Sequence, residues 1–300
     1  RVLFRSIYDN DEVNTSPNTY AAANDLDERS SQTTDVYLSG PIIKDRLFFY
    51  ALYSDDVQDQ RYAGILSGRD YDLKTDEGFW GVKLDAYITP DHHIEYTAFR
   101  DTRSVIEATF DFDADTFTRG DELGDTVHER GGDNWIATYT GNFGDDLQVS
   151  YSYGENEAAR TTAPATASIP VVYEYRGGFV PVGDWTSFSV SKGDDKREME
   201  RLDVSWTGFS GHSLSAGIDN EDNFSSEATI NSGGVYWLRD PTNAYNGCSP
   251  VECPQGANVR RRNYSVGGNF TTLSEAWYIQ DVWEVSDRLT LELGIPAFHI

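Results

Sequence analysis

The stretch LTLELGI, Leu289–Ile295, places a large aliphatic residue at every second position, with Thr290, Glu292 and Gly294 between them. Side chains alternate between the two faces of a strand, so this run reads as a strand with one apolar face and one polar face. The pattern recurs as strand–turn–strand. DVYLSGPIIKDRLFFYALYSDD predicts strands at about 34–41 and 46–57, with Leu47, Phe49, Ala51 and Tyr53 on one face. Trp80, Val82, Leu84, Ala86 and Ile88 share a face before the turn Thr89–His92, and Ile94, Tyr96 and Ala98 continue it. Trp135, Ala137 and Tyr139 precede a turn at Asn142–Asp146; Leu147, Val149, Tyr151 and Tyr153 follow it, although Ile136 interrupts the polar side. Leu202, Val204 and Trp206 lead into a turn at Gly208–Gly211, and Leu214, Ala216 and Ile218 lead out. The last pair, SEAWYIQDVWEVSDRLTLELGI, turns at Ser286–Asp287. A soluble protein turns such apolar faces inward; a membrane barrel turns them outward into lipid. Alternation alone does not choose.

Two further features choose the membrane. The partner face is rich in Ser, Thr, Gln, Gly, Lys and Asp. The connections also alternate in length: five tight turns, separated by connections at about 56–77, 102–133, 155–197 and 221–263. Compact domains rarely carry several structureless loops of that size, whereas outer-membrane barrels have short turns at one rim and long loops at the other. Aromatics gather near strand ends, at Phe48–Tyr50, Phe79–Trp80 and Trp277–Trp283, where interfacial girdles belong; a plain preference of aromatics for strands would also put them there. The expected fold is therefore all-β: an antiparallel meander of long hairpins forming part of a transmembrane β-barrel, an open curved sheet in this stretch.

Charge narrows the function. The chain carries 50 acidic and 24 basic side chains, a net −26. Nucleic-acid binding needs a basic face and is excluded as a role. No run of 18 or more apolar residues occurs, so no transmembrane helix is expected, which leaves a barrel open. The opening RVLFRS, residues 1–6, matches what a common sequencing adapter would encode, and is expected to be an artefact on a fragment of a longer gene.

At this level the residues resemble a family. LSGPIIKDRLFFYALYSDD (Leu38–Asp56) resembles the early-barrel segment of Oar-type TonB-dependent outer-membrane receptors, in which Gly-Gly-Pro-Ile-x-Lys-Asp-x-Leu-Phe-Phe recurs; Ser39 replaces the first Gly. AWYIQDVWEVSDRLTLELGI (Ala276–Ile295) is similar to the same family's Gln-Asp-x-Trp segment and the Leu-Thr-Leu that follows it, with Pro296 where Arg is usual. The resemblance implies TonB-driven uptake of a bulky, unidentified solute across the outer membrane of a Gram-negative bacterium. It also implies a plug inside a barrel of about 22 strands. Neither plug nor TonB box is visible, so residues 7–300 are expected to supply roughly the first half of the barrel, and the TonB complex would be met through a missing N-terminal region. The implied neighbours of the wall are outer-membrane lipid and lipopolysaccharide.

Candidate sites are few. Cys248 and Cys253 in CSPVEC close a small ring; a disulfide stiffening an extracellular loop fits an oxidising location, and a metal site would need two further ligands that are not adjacent. Asp111, Asp113, Asp115 and Glu122 match positions one, three, five and twelve of a calcium loop, which would make calcium a structural cofactor. Thr116 stands where the glycine is needed, and a solvated acidic loop is the other reading. Arg260–Arg262 read either as an anchor for anionic groups or as a charge cluster at a strand base. His92 and His93 read as surface residues of a turn.

No nucleotide-binding or nucleophile-elbow motif occurs, and no carboxylate pair is singled out for catalysis. The competing class is a secreted or surface all-β carbohydrate-binding module, sandwich or propeller. A propeller needs a constant blade period, and the turn spacing here widens along the chain. A sandwich would cover the apolar faces with a second sheet.

Overall fold

The computed structural model describes residues 2–9, 26–65, 67–241 and 258–299. Its main sheet has 13 strands. Eleven form a continuous antiparallel path: β1 (Val2–Asp9), β2 (Glu28–Ile43), β3 (Leu47–Gly64), β4 (Arg69–Thr89), β5 (His92–Arg100), β8 (Asp133–Phe143), β9 (Leu147–Pro164), β12 (Ser189–Trp206), β13 (His212–Asn231), β16 (Ser265–Ser286) and β17 (Leu289–His299). The remaining two are β6 (Arg103–Asp113) and β7 (Thr118–Gly131). All five sequence hairpins form, with their turns within a residue or two of the expected places. Each is short for the same reason: antiparallel neighbours need only a few residues to reverse, and Gly144 and Gly211 supply the positive φ that such reversals require.

The long connections are different from the expectation. They are largely strand. β3 and β4 pair without interruption up to Gly64↔Arg69, so the expected 56–77 connection is a hairpin closed by a short turn. The 102–133 connection is the β6–β7 hairpin. β6 pairs with β4 over Arg69–Glu77, directly above the part of β4 that β5 covers. β7 pairs with β9 over Ala159–Pro164, above the part that β8 covers. Thus β5 and β6 act as one long strand with a jog at Asp101–Thr102, and β7 and β8 as another with a jog at Gly132. Two glycines permit the jog. Gly131 has φ +90°, and a Cβ on Gly132 would overlap the Glu157 carbonyl. Asp101 closes it, accepting from the Gly132 amide at 3.0 Å and donating its own amide to the Gly132 carbonyl at 3.2 Å.

A separate four-stranded sheet comprises β10 (Val171–Tyr175), β11 (Phe179–Pro181), β14 (Tyr236–Asp240) and β15 (Asn258–Arg262). It is built from the 164–188 and 232–264 connections, joined by the parallel pairing of β10 with β14. Three threonine hydroxyls anchor it to the main sheet. Thr186 Oγ1 lies 3.0 Å from Thr126 Oγ1 and 2.9 Å from Thr166 Oγ1, and the Thr186 amide donates to Thr166 Oγ1 at 2.9 Å. All three side chains are buried.

An ion network locks the upper hairpins together. The fully buried Asp70 carboxylate accepts from Arg61 Nη2 at 2.7 Å and Arg119 Nε at 2.8 Å. Arg119 also reaches Asp72 at 2.6 Å and lies over the Phe110 ring at 4.1 Å. Burial opposes ionisation of Asp70, yet the hydrogen bonds from Arg119 and Arg61 outweigh it and hold the carboxyl below its usual 3.8. A depressed folded-state value stabilises above the unfolded value and is lost as pH falls through the folded one. Local protection of 61–72 and 107–119 in amide hydrogen exchange, corrected for intrinsic rates, is therefore expected to hold from neutral pH to about 4 and to fall below it. Asp70→Ala leaves Arg61 without a carboxylate and Arg119 with Asp72 alone, and is expected to cost about 3 kcal/mol of that local protection.

Candidate functional site

The sheet's two faces are the first functional feature. A single register carries one apolar set across the path: Leu38 beside Ala51, Ala51 beside Val82, Val82 beside Ala98. It continues through Tyr139 beside Tyr151, Tyr151 beside Leu202, Leu202 beside Ile218, Ile218 beside Trp277 and Ile279 beside Ile295. No described element packs on this face. Leu38 and Ile295 are 63% exposed and Ile279 is 51% exposed. A sandwich would have covered them, so the sandwich expectation is not met among the described residues.

On β4 the apolar run from Trp80 to Ile88 matches the roughly 9–11 residues that a tilted strand needs to cross a bilayer. Aromatics border it on both sides. At the short-turn rim Trp206 meets Phe209 at 5.4 Å and Trp283 stacks on His212 at 5.2 Å. At the upper border Trp135 lies 5.5 Å from Tyr153, and Tyr53 pairs with Trp80. One acid, Asp281, enters the apolar face; His212 Nδ1 sits 2.8 Å from it.

The opposite face carries charge. Lys83 Nζ lies 2.7 Å from Glu95 and 3.8 Å from Asp85, whose carboxylate is 3.2 Å from His93 Nε2. Arg201 Nε donates to Asp203 at 2.7 Å, and Tyr278 donates to the same carboxylate at 2.7 Å. Phe48, Tyr50 and Leu52 share this face with Phe79 and Tyr87 on β4, Phe99 on β5 and Ile136 on β8, so it is mixed from β3 to β8 and mainly polar from β9 onward. Above the apolar run, charges appear on both faces: Lys196 lies among Glu155, Glu157 and Glu198 on one, and Arg160 pairs with Asp195 on the other.

Between the polar face and the small sheet lies a cavity of about 620 Å³. β4 contributes Arg69 and Tyr71, β6 contributes Glu107 and Thr109, and the small sheet with its flanking segment contributes Tyr173, Trp185 and Tyr236. The register sets Tyr71 opposite Thr109 and Leu73 opposite Glu107, so these side chains share one face. Arg69 is buried, donating to Asp111 at 2.8 Å and to the Gly183 carbonyl at 2.5 Å.

The sequence candidates fall elsewhere. Asp111 is engaged by Arg69. Asp113 accepts from the amides of Asp115 and Thr116 at 2.9 and 3.1 Å, which holds its carboxyl below the usual range. Glu122 stands opposite Phe110 in the ladder. Among the described residues these four carboxylates form no cluster with ligand atoms within 4.8 Å of one another; Asp85, His93 and Glu95 do. The ammonium of Lys83 already occupies that cluster's field. Cys248 and Cys253 lie outside the described residues. Arg260–Arg262 lie in β15, with Arg261 at 5.7 Å over the Trp237 ring. His92 Nδ1 lies 2.8 Å from the Tyr139 hydroxyl. The cavity residues were missed by sequence reading because they lie in the stretches taken as loops. Alternation of Tyr71, Leu73 and Thr75 with Asp70, Asp72 and Lys74 was the available signal.

No family model and no curated protein matches the chain. Among solved structures it is similar to the outer membrane transporter YddB from Escherichia coli, with TM-score 0.52 and 12% identity over 91% of this chain. The match covers 34% of that transporter, so the chain spans about a third of its length. The likeness extends to the fold: a large antiparallel sheet of long hairpins, as in an outer-membrane transporter barrel.

The threonine anchor that closes the cavity can be tested directly. Thr186→Val keeps the shape but strands the buried Thr126 hydroxyl and leaves Thr166 Oγ1 only the Thr186 amide. It is expected to cost about 1–3 kcal/mol, read as faster hydrogen exchange confined to 164–188.

Proposed function

We propose that this chain forms part of the wall and outer loops of an outer-membrane transport barrel. The apolar face lies against lipid, the polar face lines the lumen, and the charged upper strands and small sheet stand outside the bilayer. The observation that carries this reading is the pairing of opposites in one register: an apolar face across ten strands that no described element covers, and ion pairs such as Lys83–Glu95 directly behind it. Lipid accepts the first and rejects the second. Strands longer than the roughly 9–11 residues that cross a bilayer fit a barrel whose hairpins project beyond the membrane; β16 has 22.

The finer reading is an Oar-like, TonB-dependent receptor importing a bulky solute into a Gram-negative bacterium. It is supported by Leu38–Asp56 and Ala276–Ile295, which occupy the β2–β3 and β16–β17 hairpins. In that reading lipopolysaccharide contacts the outer rim, and the TonB complex is reached through a region outside this chain.

Val204 and Ser205 are adjacent and face opposite ways, Val204 beside Ala216 and Ser205 beside Ser215. Val204→Arg is expected to cost about 2–4 kcal/mol and to deplete the protein from the outer-membrane fraction. Ser205→Arg should leave its level near that of the unaltered protein. Equal depletion by both, or recovery of the unaltered protein as a soluble species, would remove the membrane reading.

A further inference from the structure

The cavity beneath the small sheet has the makings of a ligand site. Its volume of about 620 Å³ is in the range of small-molecule sites. Its walls are aromatic. Tyr173 is central, with ring centroids 5.0 Å from Trp185, 5.8 Å from Tyr236 and 6.4 Å from Phe188. Tyr71 closes the side belonging to the main sheet and stacks on Tyr62 at 4.6 Å.

The polar groups decide what such walls would hold. Arg69 brings a positive charge, but Asp111 already neutralises it at 2.8 Å. Glu107 brings a negative charge and makes no hydrogen bond or ion pair with any described residue. Burial pushes its carboxyl up, as expected for a carboxylate without a partner. Thr109 is 1% exposed, and its hydroxyl oxygen is buried with no hydrogen-bond partner. A buried polar atom left unpaired is costly, and so is a half-buried charge without a counter-ion. Both residues line the same space from one strand, two positions apart.

An anion would meet the Glu107 charge and the negative faces of the rings. A neutral sugar could donate hydroxyls to the carboxylate but would leave its charge uncompensated. A cation satisfies both, because aromatic faces and a carboxylate attract it together.

We propose that this cavity binds a small organic cation, a protonated amine with an apolar body. Its ammonium donates to the Glu107 carboxylate and the Thr109 hydroxyl, and its body lies among the rings of Tyr71, Tyr173 and Tyr236. Binding stands on the cavity itself and does not depend on the protein moving a solute.

The test is calorimetric titration of the complete polypeptide carrying this chain, purified in detergent, with probes of one size and three charges: benzylammonium, benzyl alcohol and benzoate. Methyl glucoside serves as the sugar probe. Benzylammonium is expected to bind about tenfold or more tightly than benzyl alcohol, the scale of a hydrogen bond to a charged group, and benzoate and methyl glucoside not measurably. Glu107→Gln should remove that advantage while leaving benzyl alcohol unchanged. Thr109→Val, which preserves shape, should weaken benzylammonium several-fold without affecting benzyl alcohol. Thermal melts of each variant separate loss of the site from loss of the fold. Absence of benzylammonium binding, equal or tighter binding of the alcohol or the glucoside, or full affinity in a folded Glu107→Gln protein would overturn the assignment.

Discussion

One hydrogen-bond register, held from β2 to β17, is the constraint on which the rest of this structure depends. Each strand inside that path gives its backbone groups to a neighbour on either side, so the wall itself leaves few of them to be satisfied by solvent. The register also fixes the faces. A slip of one residue between β12 and β13 would set Val204 and Ala216 among Arg201, Asp203 and Tyr278, and expose those charges on the apolar side. The two faces differ so much in polarity that such a slip carries a large penalty, and the meander is specified by chemistry as well as by its turns.

The strands change character along their length. Near the short turns one face is aliphatic and aromatic. Beyond Trp80, Tyr153 and Glu200 both faces carry charge, and ion pairs replace apolar contacts as the side-chain link between neighbours. The Arg61–Asp70–Arg119–Asp72 network is the most buried of these. Here the small sheet folds over the polar face, pinned by Arg69 to Gly183 and by the hydroxyls of Thr126, Thr166 and Thr186. Buried polar anchors of this kind hold one arrangement when complete and lose it when a single member is missing.

That change of character explains what the sequence disclosed. The five hairpins were legible because alternation is the direct signature of a strand with two unlike faces, and Gly, Pro and Asp mark the reversals. The upper strands were not legible. In KGDDKREME, Lys192 onward, both faces are charged, so no period-two signal exists, and the extended backbone is imposed by continuation of the ladder from below. The acidic spacing from Asp111 to Glu122 suggested a cation loop; the structure shows a hairpin in which Arg69 and two backbone amides take up the first two carboxylates. The cavity was invisible for a different reason. Arg69, Glu107, Tyr173 and Tyr236 come from four separated stretches, brought together by pairings that no local pattern encodes.

The proposed membrane role turns on whether the apolar face of this sheet lies in lipid. Leu289–Ile295 is the sharpest probe, because its seven positions alternate between the faces on a strand with no described element over either one. Single nitroxide labels at successive positions, with Cys248 and Cys253 replaced by serine, can be read in native outer membranes by collision with oxygen and with a water-soluble nickel complex. A period of two is expected: oxygen contact at positions 289, 291, 293 and 295, and nickel contact at 290, 292 and 294. Nickel contact at every position, or the opposite phase, would contradict it.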